Sequence, residues 1–385
     1  MSVFTAILIS CSGAQNAAAN KSDSDAVADI SPVDRLPFER TIFAKLDEPW
    51  AMAFLPDGKH ALITEKKGKL LLWQDGGEMV EVAGVPAVDY GGQGGFGDIV
   101  LAPDYATSAT VYLSWIEAGE KDTRGAVVAH ARLILDDPAK PRLEGLKIIW
   151  KQDPKVAGRG HYSHRIVFSP DGKYMFIGSG ERQKFDPAQD MSGNLGKILR
   201  LFPDGSVPQD NPFVDQAGAN PQIWSLGHRN ILGLAFDSSG QLWNQEMGPK
   251  GGDELNLVKR AANYGYPIVS NGDHYDGRDI PDHDTRPEFE APKVSWSQVI
   301  SPAGLMFYSG KMFPKWQGSA FIGGLSSQSL VRISFGEDGA REAERFKMNV
   351  RIREVEQGPD GAIWLLEESR GGGGGALVKL TPTKS

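Results

Sequence analysis

Short apolar segments separated by tight turns recur along the chain from Phe38 onward. In each copy, an apolar segment is followed by a turn similar to Pro-Asp-Gly and then by a second apolar or aromatic segment. Proline presets the first dihedral angles of such a turn and Asp-Gly accepts its tighter positions, so each copy predicts a β-hairpin. The clearest copies begin at Ala53, Ile99, Val167, Ala235 and Gly358, and a weaker copy begins at Leu305.

The spacing of these hairpins predicts a β-propeller. The copies lie about 50 to 65 residues apart, a period that favours stacked four-stranded units over a sandwich. Roughly 350 residues divided by about 60 gives six units, within the range of known propellers. Because we find no sustained helical period and no alternation of strands with helices, we predict an all-β chain. Residues 38–385 would form one six-bladed β-propeller of four-stranded antiparallel blades, with the ligand site at the mouth of the central channel.

The N-terminus has features of a bacterial lipoprotein signal. Residues 3–10 form a short apolar run that stops at Cys11, and Leu-Ile-Ser-Cys at 8–11 resembles a lipobox, in which the cysteine is lipidated. The run is too short to span a bilayer and lacks a preceding basic region. Either the natural start lies upstream or the match is accidental. We expect residues 1–11 to be a truncated signal segment and residues 12–37 a flexible polar tether, with membrane attachment only through Cys11.

Charge and cysteine usage narrow the class of partner. The chain has 41 Lys and Arg against 49 Asp and Glu, a net charge of -8, with no run rich in Lys or Arg. Phosphate binding needs a basic surface, so nucleic acid is not an expected partner. A single cysteine excludes an internal disulfide and leaves the compartment open on that count. The N-terminal segment leads us to expect export to the periplasm.

The stretch from residue 224 to 267 concentrates charged residues on irregular backbone. It contains Gly-His-Arg-Asn at 227–230 and Glu-Met-Gly-Pro-Lys-Gly-Gly-Asp-Glu at 246–254. The cluster as a whole favours a ligand site, although each residue alone is typical of a polar turn. The carbonyl groups of Gly248 and Pro249 suit a hard cation such as calcium, while Glu254 would bind a second ion or cap a turn.

His161 is the candidate base. It precedes the third hairpin, so we expect it on a loop or strand entrance that faces the channel. A histidine there acts as a base near neutral pH, and Glu181, after the next strand, is placed to fix its tautomer. The alternative is a hydrogen-bonded surface histidine.

Other candidate residues suit a flat, acidic ligand. Gln93 stands among four glycines, which let backbone and amide approach such a ligand closely. Arg351 and Arg353 alternate on a predicted strand and therefore face the same side. They would either clamp an acid with several charges or form an exposed basic edge.

An ordered set of motifs carries a family resemblance over nearly the whole sequence beyond the tether. The set comprises PWAMAFLPDG at 49–58, GQGG at 92–95, LGKILRL at 195–201, DNPF at 210–213, GHRN at 227–230, GDELNL at 252–257, NYGYP at 263–267 and RIR at 351–353. It resembles the soluble glucose/sorbosone dehydrogenase family, most closely its aldose sugar dehydrogenase branch. The resemblance implies a six-bladed propeller that uses pyrroloquinoline quinone (PQQ) and calcium (Ca2+).

The resemblance implies a role for each matching residue. His161 would remove the proton of the sugar C1 hydroxyl while hydride passes to the quinone, and Glu181 would orient His161. Arg229 would stabilise negative charge on the quinone oxygen. The residues implied to hold the cofactor are Gln93, Arg229, Asn230, Arg351 and Arg353. The residues implied to bind calcium are Gly248 and Pro249, with Glu254 and Tyr264 at a further calcium site.

The sequence departs from the family pattern at three places. Ser163 stands where glycine is usual, followed by His164, and these bulkier side chains would narrow the sugar site or add a polar contact. Ser326 stands where a lysine that contacts the cofactor is expected, which would weaken quinone binding unless neighbouring basic residues compensate. Glu354 replaces the usual aspartate, a mild change.

The leading hypothesis is a quinone-dependent dehydrogenase that oxidises aldose sugars at C1 to lactones. Electrons would pass to an external acceptor, either the quinone pool or a small redox protein. One alternative is a calcium-dependent lactonase-type hydrolase, which would leave Arg351 and Arg353 without a role. Another is a non-catalytic binding propeller, which Ser326 allows. Fold alone does not decide among them, because propellers carry many functions.

Overall fold

Six sheets, each with four antiparallel strands, form a closed ring in the computed structural model of the protein, which describes residues 26–27, 30–76 and 79–383, and one of these sheets gains a short parallel edge strand at Ala26–Val27. This confirms the predicted six-bladed β-propeller. Cys11 and the predicted signal segment lie outside the described residues, as do residues 12–25 and 28–29 of the predicted tether. Within the described part of the sequence, no helix has the length and apolar character needed to cross a membrane.

Two strands precede the first blade, namely β1 (Ala26–Val27) and β2 (Phe38–Leu46). Blade 1 comprises β3 (Pro49–Phe54), β4 (His60–Glu65), β5 (Lys69–Gln74) and β6 (Val80–Glu81). Blade 2 comprises β7 (Phe96–Leu101), β8 (Thr110–Ala118), β9 (Arg124–Ile134) and β10 (Arg142–Lys151). Blade 3 comprises β11 (Ser163–Phe168), β12 (Met175–Ser179), β13 (Lys197–Leu201) and β14 (Ile223–Leu226).

Blade 4 comprises β15 (Ile231–Phe236), β16 (Leu242–Glu246), β18 (Asp253–Leu257) and β20 (Val294–Trp296), and its loops add the pair β17 (Lys250–Gly251) and β19 (Gly272–Asp273). Blade 5 comprises β21 (Pro302–Phe307), β22 (Ala320–Gly324), β23 (Ser329–Gly336) and β24 (Gly339–Lys347). Blade 6 contains β25 (Arg351–Gln357), β26 (Ile363–Glu368) and β27 (Gly375–Pro382). The helical segments are α1 (Tyr105–Ser108) and the 3-10 turns Asp186–Ala188, His283–Thr285 and Pro314–Trp316.

Aspartate side chains stabilise the predicted turns. Asp57 Oδ1 accepts hydrogen bonds from the backbone N–H groups of Lys59 (2.8 Å) and His60 (3.0 Å) between β3 and β4. Asp171 Oδ1 accepts one from the N–H of Lys173 (3.1 Å) between β11 and β12. The carboxylate thus bonds to backbone donors within turns whose positions the sequence pattern predicted.

The N-terminal strand β2 closes the ring. It forms the fourth strand of blade 6 by pairing antiparallel with β27, from Phe38 opposite Pro382 to Leu46 opposite Gly375. The first strand of each blade is innermost, and these strands contact one another in the order β3, β7, β11, β15, β21, β25 and back to β3. Closure therefore joins the two ends of the propeller sequence, a pairing that the hairpin pattern did not predict.

An apolar core lies between each pair of adjacent blades. Between blades 1 and 2, for example, Trp50 and Leu62 pack with Phe96 and Trp115. Equivalent clusters fill the other five blade interfaces. Because both faces of most inner strands are covered, these strands appear in the sequence as short, nearly continuous apolar runs.

Each inner strand shifts register against its neighbour close to its first residues. The shifts lie between Pro49 and Met52, Phe96 and Ile99, Ser163 and Ile166, Ile231 and Gly233, Ala303 and Leu305, and Ile352 and Glu354. Such β-bulges bend a strand and re-aim the side chains around it, and they are common beside active sites. Residues at or just before the starts of the inner strands line one cavity, so the bulges gather at one end of the channel, called here the bulged end.

Candidate active site

The bulged end of the channel opens into a cavity of about 500 Å³, called here the main cavity. The predicted cofactor-binding residues on its wall are Gln93, Asn230, Arg351 and Arg353. A second pocket of about 240 Å³, called here the side pocket, contains His161, Glu181 and Arg229. The fold therefore gathers the predicted base, its carboxylate and the predicted cofactor-binding residues at one end of the molecule, although they come from four different blades or the loops between them.

His161 is held through both its ring and its backbone. Its Nδ1 hydrogen-bonds to one carboxylate oxygen of Glu181, and its backbone N–H donates to Oε1 of Gln93 (2.7 Å). The other oxygen of Glu181 accepts hydrogen bonds from the backbone N–H groups of Lys184 (2.5 Å) and Phe185 (2.8 Å). Because Nδ1 faces Glu181, proton exchange with a ligand falls to Nε2 of His161.

The backbone around His161 is strained. His161 (φ 49°), Ser163 (φ 60°) and His164 (φ 66°) all lie in the left-handed region. Non-glycine residues there cost of order 1–3 kcal/mol each and cluster at active sites. This conformation gives a physical reason for the glycine that the family usually has at position 163. Gly180 packs against the same segment, and a Cβ added there would lie 2.1 Å from the carbonyl oxygen of His161, so only glycine fits.

The surroundings of His161 favour its neutral form. Burial lowers the pKa of the His161 imidazole; the hydrogen bond to Glu181 opposes this effect, and the charge of Arg229 lowers the pKa further. Burial alone would raise the pKa of the Glu181 carboxyl, but the hydrogen bond and charge of His161, the N–H of Phe185 and the charge of Arg229 together keep that pKa below its ordinary value. At neutral pH the pair is therefore an imidazole beside a carboxylate, the state that a general base requires.

Arg229 lines the side pocket, and the next residue, Asn230, lines the main cavity. Its backbone N–H donates to Glu246 Oε2 (2.5 Å), and its Nη1 donates to the carbonyl of Met247 (2.8 Å). The guanidinium lies 5.8 Å from the ring centroid of Tyr266 and 5.9 Å from that of Tyr275. These contacts fix a permanent positive charge where a ligand's developing negative charge would be stabilised.

A buried Ser-His-Glu network lies directly behind Arg229. His228 Nε2 lies 2.8 Å from Ser225 Oγ, and His228 Nδ1 lies 2.9 Å from Glu246 Oε1. Ser225 and His228 have no exposed surface, so a substrate does not reach this serine. The network instead orients Glu246, which receives the N–H of Arg229.

Arg351 and Arg353 share one carboxylate at the wall of the main cavity. Arg351 Nε donates to Glu368 Oε1 (2.8 Å), and Arg353 Nε donates to Glu368 Oε2 (2.9 Å). Lys66, which no sequence motif indicated, lines the same cavity and donates from Nζ to the carbonyl of Gly92 (3.2 Å). Burial lowers the pKa of Lys66, and the charge of Arg353 lowers it further. The charged residues of this wall are Lys66, Arg351, Arg353 and Arg370 against Glu48 and Glu368, an excess of positive charge.

Three of the four predicted calcium ligands line a narrow crevice beside Arg229, namely Gly248, Pro249 and Glu254. The hydroxyl of Tyr264 lies elsewhere, because it donates to the carbonyl of Leu257 (2.5 Å) and accepts the N–H of Lys259 (2.9 Å). Among the described residues, no group of three or more His, Cys, Asp or Glu side chains is arranged to hold a metal ion. A cation in this crevice would therefore depend largely on backbone carbonyls.

The three departures from the family pattern occupy different environments. The His164 ring stacks on Trp50 at 5.0 Å, its Nδ1 lies 2.8 Å from Ser114 Oγ, and burial lowers its pKa to about 3. Ser326 is exposed and donates weakly to the carbonyl of Val299 (3.3 Å). Glu354 lies further down the channel. His164 is thus a neutral part of the cavity wall, whereas Ser326 does not line that cavity.

Fold and site together define a class of protein. It is a six-bladed propeller that carries a histidine–carboxylate pair beside a cationic cavity. The glucose/sorbosone dehydrogenase family model matches residues 46–379. Aldose sugar dehydrogenase YliI of Escherichia coli K12 is 40% identical over 347 residues, covering 88% of this chain and 91% of that protein. The chain therefore belongs to the glucose/sorbosone dehydrogenase family, which confirms the predicted resemblance and makes it an oxidoreductase.

Solved structures agree with this assignment. The apo form of the soluble aldose sugar dehydrogenase of Escherichia coli superposes with a TM-score of 0.83 at 36% identity, covering 90% of this chain and all of that one. The PQQ-bound form of an aldose sugar dehydrogenase from Streptomyces coelicolor gives a TM-score of 0.70 at 27% identity, covering 91% of this chain and all of that one.

Proposed function

We propose that the protein oxidises aldose sugars at C1 to lactones, with PQQ as hydride acceptor, calcium as Lewis acid and His161 as base. The observation that carries the proposal is the neutral, buried imidazole of His161, oriented by Glu181 and placed beside a cationic cavity. A base of this kind next to a binding site for an anionic, flat cofactor suits dehydrogenation of an alcohol.

The main cavity fits PQQ by its charge and by its donors. The cofactor is a flat quinone with several carboxylates, and the wall supplies Lys66, Arg351 and Arg353 as cations. Glu368 holds both arginines in place and removes part of their charge. The amides of Gln93 and Asn230 line the same wall. When bound, PQQ supplies the two-electron acceptor that the side chains of the protein lack.

The residues of the protein would handle the proton and the developing charge. Nε2 of His161 would take the proton of the C1 hydroxyl while the hydrogen on C1 leaves as hydride, with the electron pair of the C1–H bond, for the quinone acceptor, and the C1–O bond becomes a carbonyl. Glu181 stabilises the resulting imidazolium through Nδ1. Arg229 stabilises negative charge at the acceptor, from a position fixed by Glu246 and Met247.

The crevice beside Arg229 offers the oxygen donors that calcium prefers. The carbonyls of Gly248 and Pro249 would hold the ion, with the Glu254 carboxylate at the same crevice. Tyr264 would contribute only through its backbone, since its hydroxyl is engaged with Leu257 and Lys259. Calcium would polarise a bound carbonyl group.

The test is reconstitution. Purified apoprotein is mixed with calcium and PQQ, and dye reduction is followed with a panel of aldoses, in parallel with lactone hydrolysis without quinone. Sugar-dependent dye reduction together with a change in quinone absorbance is expected. Absence of quinone binding at micromolar concentration would overturn the proposal and favour a binding propeller, whereas quinone-independent lactone hydrolysis would favour a hydrolase. Export to the periplasm and an external electron acceptor complete the proposal.

A further inference from the structure

Aromatic side chains surround the side pocket in which His161 lies. The Phe185 ring lies 6.4 Å from Tyr266 and nearly parallel to it, and meets the His274 ring edge-on at 5.7 Å. Tyr275 lines the same pocket, and the Arg229 guanidinium lies 5.8 Å from the ring centroid of Tyr266 and 5.9 Å from that of Tyr275. We call Phe185, Tyr266, His274 and Tyr275 the aromatic rim. These rings come from separate loops of blades 3 and 4, so only the fold brings them together.

Two members of the rim are exposed without an apparent structural role. Tyr275 is 75% exposed and Phe185 is 42% exposed. Phe185 also has φ 64°, in the left-handed region that aromatic residues rarely adopt. Strain of this kind persists where surrounding contacts impose it, and it is most common at ligand sites. Here the N–H of Phe185 donates to Glu181, the carboxylate that orients His161, so base and ring are positioned together.

Both loops are anchored by contacts away from the pocket. The loop after Phe185 is held by Lys197, whose Nζ donates to the carbonyls of Pro187 (2.7 Å) and Ala188 (3.1 Å). The loop with Tyr275 leaves the short β17–β19 pair and turns tightly, with the N–H of His274 donating to the carbonyl of Arg278 (3.0 Å). The rings are therefore presented to the pocket by fixed backbone.

We propose that the aromatic rim is the sugar-binding surface of the side pocket, a proposal that rests on the proposed function. The ring C–H groups of an aldopyranose form an apolar face that packs on aromatic rings, and its hydroxyls need polar partners. Asp276 and Arg278 line the same pocket and pair with each other through Arg278 Nε (2.9 Å), which leaves the remaining guanidinium N–H groups as donors and the carboxylate as a further acceptor for hydroxyls. A pyranose on Phe185 and Tyr275 lies beside His161, so the rim sets affinity and specificity while His161 takes the proton.

The first experiment compares Phe185→Ala/Tyr275→Ala with wild type by steady-state kinetics on D-glucose and other aldoses. Loss of two stacking contacts is expected to reduce kcat/KM about tenfold or more, mainly through KM. Tyr275→Phe, which keeps the ring, is expected to stay within about threefold of wild type. The matched control is Phe335→Ala, since Phe335 is 37% exposed but packs on Trp243 and Phe307 and lines neither the main cavity nor the side pocket.

The second experiment measures sugar binding by saturation-transfer NMR on apoprotein, which separates failure of the rim from failure of the proposed function. D-Glucose is expected to give a signal with wild type and Phe335→Ala but not with the double variant, and the acyclic polyol D-sorbitol to give little with any of them. If wild type oxidises no aldose but gives this pattern of NMR signals, the proposed oxidation is wrong and the aromatic rim is still the sugar-binding surface. Equal glucose signals in wild type and the double variant, or no signal in wild type, would contradict the proposal that the aromatic rim binds the sugar.

Discussion

The two ends of the central channel use buried charge in opposite ways. At the bulged end, Glu181 orients His161 and leaves its Nε2 to a ligand. At the other end, called here the acidic end, Arg165 Nη1 lies 3.3 Å from Asp98 Oδ1 and 2.5 Å from Glu354 Oε2. At this end one arginine pairs with two buried carboxylates. The difference teaches that a buried carboxylate marks a candidate active site only when its partner keeps a free reactive atom facing a cavity.

Backbone strain and protonation separate the two ends as well. The inner-strand residues Asp98, Arg165 and Glu354 have ordinary φ values, whereas left-handed residues flank His161. Burial raises the pKa of Glu354 to about 7, against the charge of Arg165, and the charge of Asp98 raises it further. The acidic end therefore reduces its charge by binding protons, which suits a structural role.

Replacing the base is expected to have the largest effect. His161→Ala should reduce kcat by about 10²–10⁴, because general-base catalysis typically contributes that much, while PQQ binding measured by absorbance persists. His60→Ala, which changes a histidine on the blade 1 turn beside Asp57, should leave kcat unaltered. Equal losses in both variants would show that the two ends do not differ in catalytic role.

Arg165→Met should destabilise the fold, because it leaves Asp98 and Glu354 buried without their cation. The expected loss in free energy of unfolding is about 3–5 kcal/mol, measured by urea denaturation of the apoprotein. Arg132→Met, which removes an exposed pair with Glu144, should cost less than about 1 kcal/mol. A similar small loss for both variants would contradict the structural role of the acidic end.

The acidic end should also make stability depend on pH. Since the Glu354 pKa is raised in the folded state, its contribution is complete below the ordinary value of 4.5 and is lost as pH rises through about 7. Glu354→Gln should remove a stability decrease on the order of 2–3 kcal/mol between pH 5 and pH 8, measured by urea denaturation at each pH. An unchanged pH dependence in this variant would assign the effect to other groups.

The bulged end should make the free energy of unfolding depend on pH in the opposite direction. The His161 pKa is lowered in the folded state, so its contribution to the free energy of unfolding is complete above the ordinary value of 6.5 and is lost as pH falls from there through the lowered pKa of the folded state. Urea denaturation of His161→Gln and Glu354→Gln at each pH checks this prediction. His161→Gln should remove a loss of stability at low pH, and Glu354→Gln should remove a loss at high pH.

Lys66→Met tests whether Lys66 replaces the cation missing at Ser326. Loss of this cavity charge should weaken PQQ binding about tenfold, which equals ~1.4 kcal/mol. The neighbouring Lys67→Met is a close control, because Lys67 pairs with Asp47 on the surface and does not line the cavity. Equal PQQ dissociation constants for the two variants, measured by titration, would show that Lys66 does not contribute to PQQ binding.

Ser163→Gly should give the smallest effect. Glycine relieves the left-handed strain at φ 60° but loses the weak hydrogen bond to Asn230 Oδ1 (3.3 Å). The net expectation is a gain in unfolding free energy of about 1 kcal/mol. Ser179→Gly on β12 of the same blade, where φ is ordinary, should be destabilising, and a gain there too would rule out strain relief as the cause.

The hairpins and the site motifs were predictable because they depend on local chemistry. Pro-Asp-Gly turns fix their own dihedral angles, so six blades followed from their spacing. The positions of Gln93 and Asn230 at one cavity agree with the resemblance. Lys66 was missed because one lysine in a surface-like turn carries no signal. It becomes recognisable only as the residue just after β4, equivalent to the position shortly after β12 where Glu181 lies.

The sequence by itself determined the strands, the turns and the types of residue available for chemistry, since these follow from side-chain patterns over a few positions. The tertiary structure decided which of those residues meet. Pairing of β2 with β27 closes the ring and brings the inner strands into contact. The bulges and the left-handed segment around His161 then aim its ring at a shared pocket. That convergence depends on contacts between residues far apart in the sequence, which no local pattern encodes.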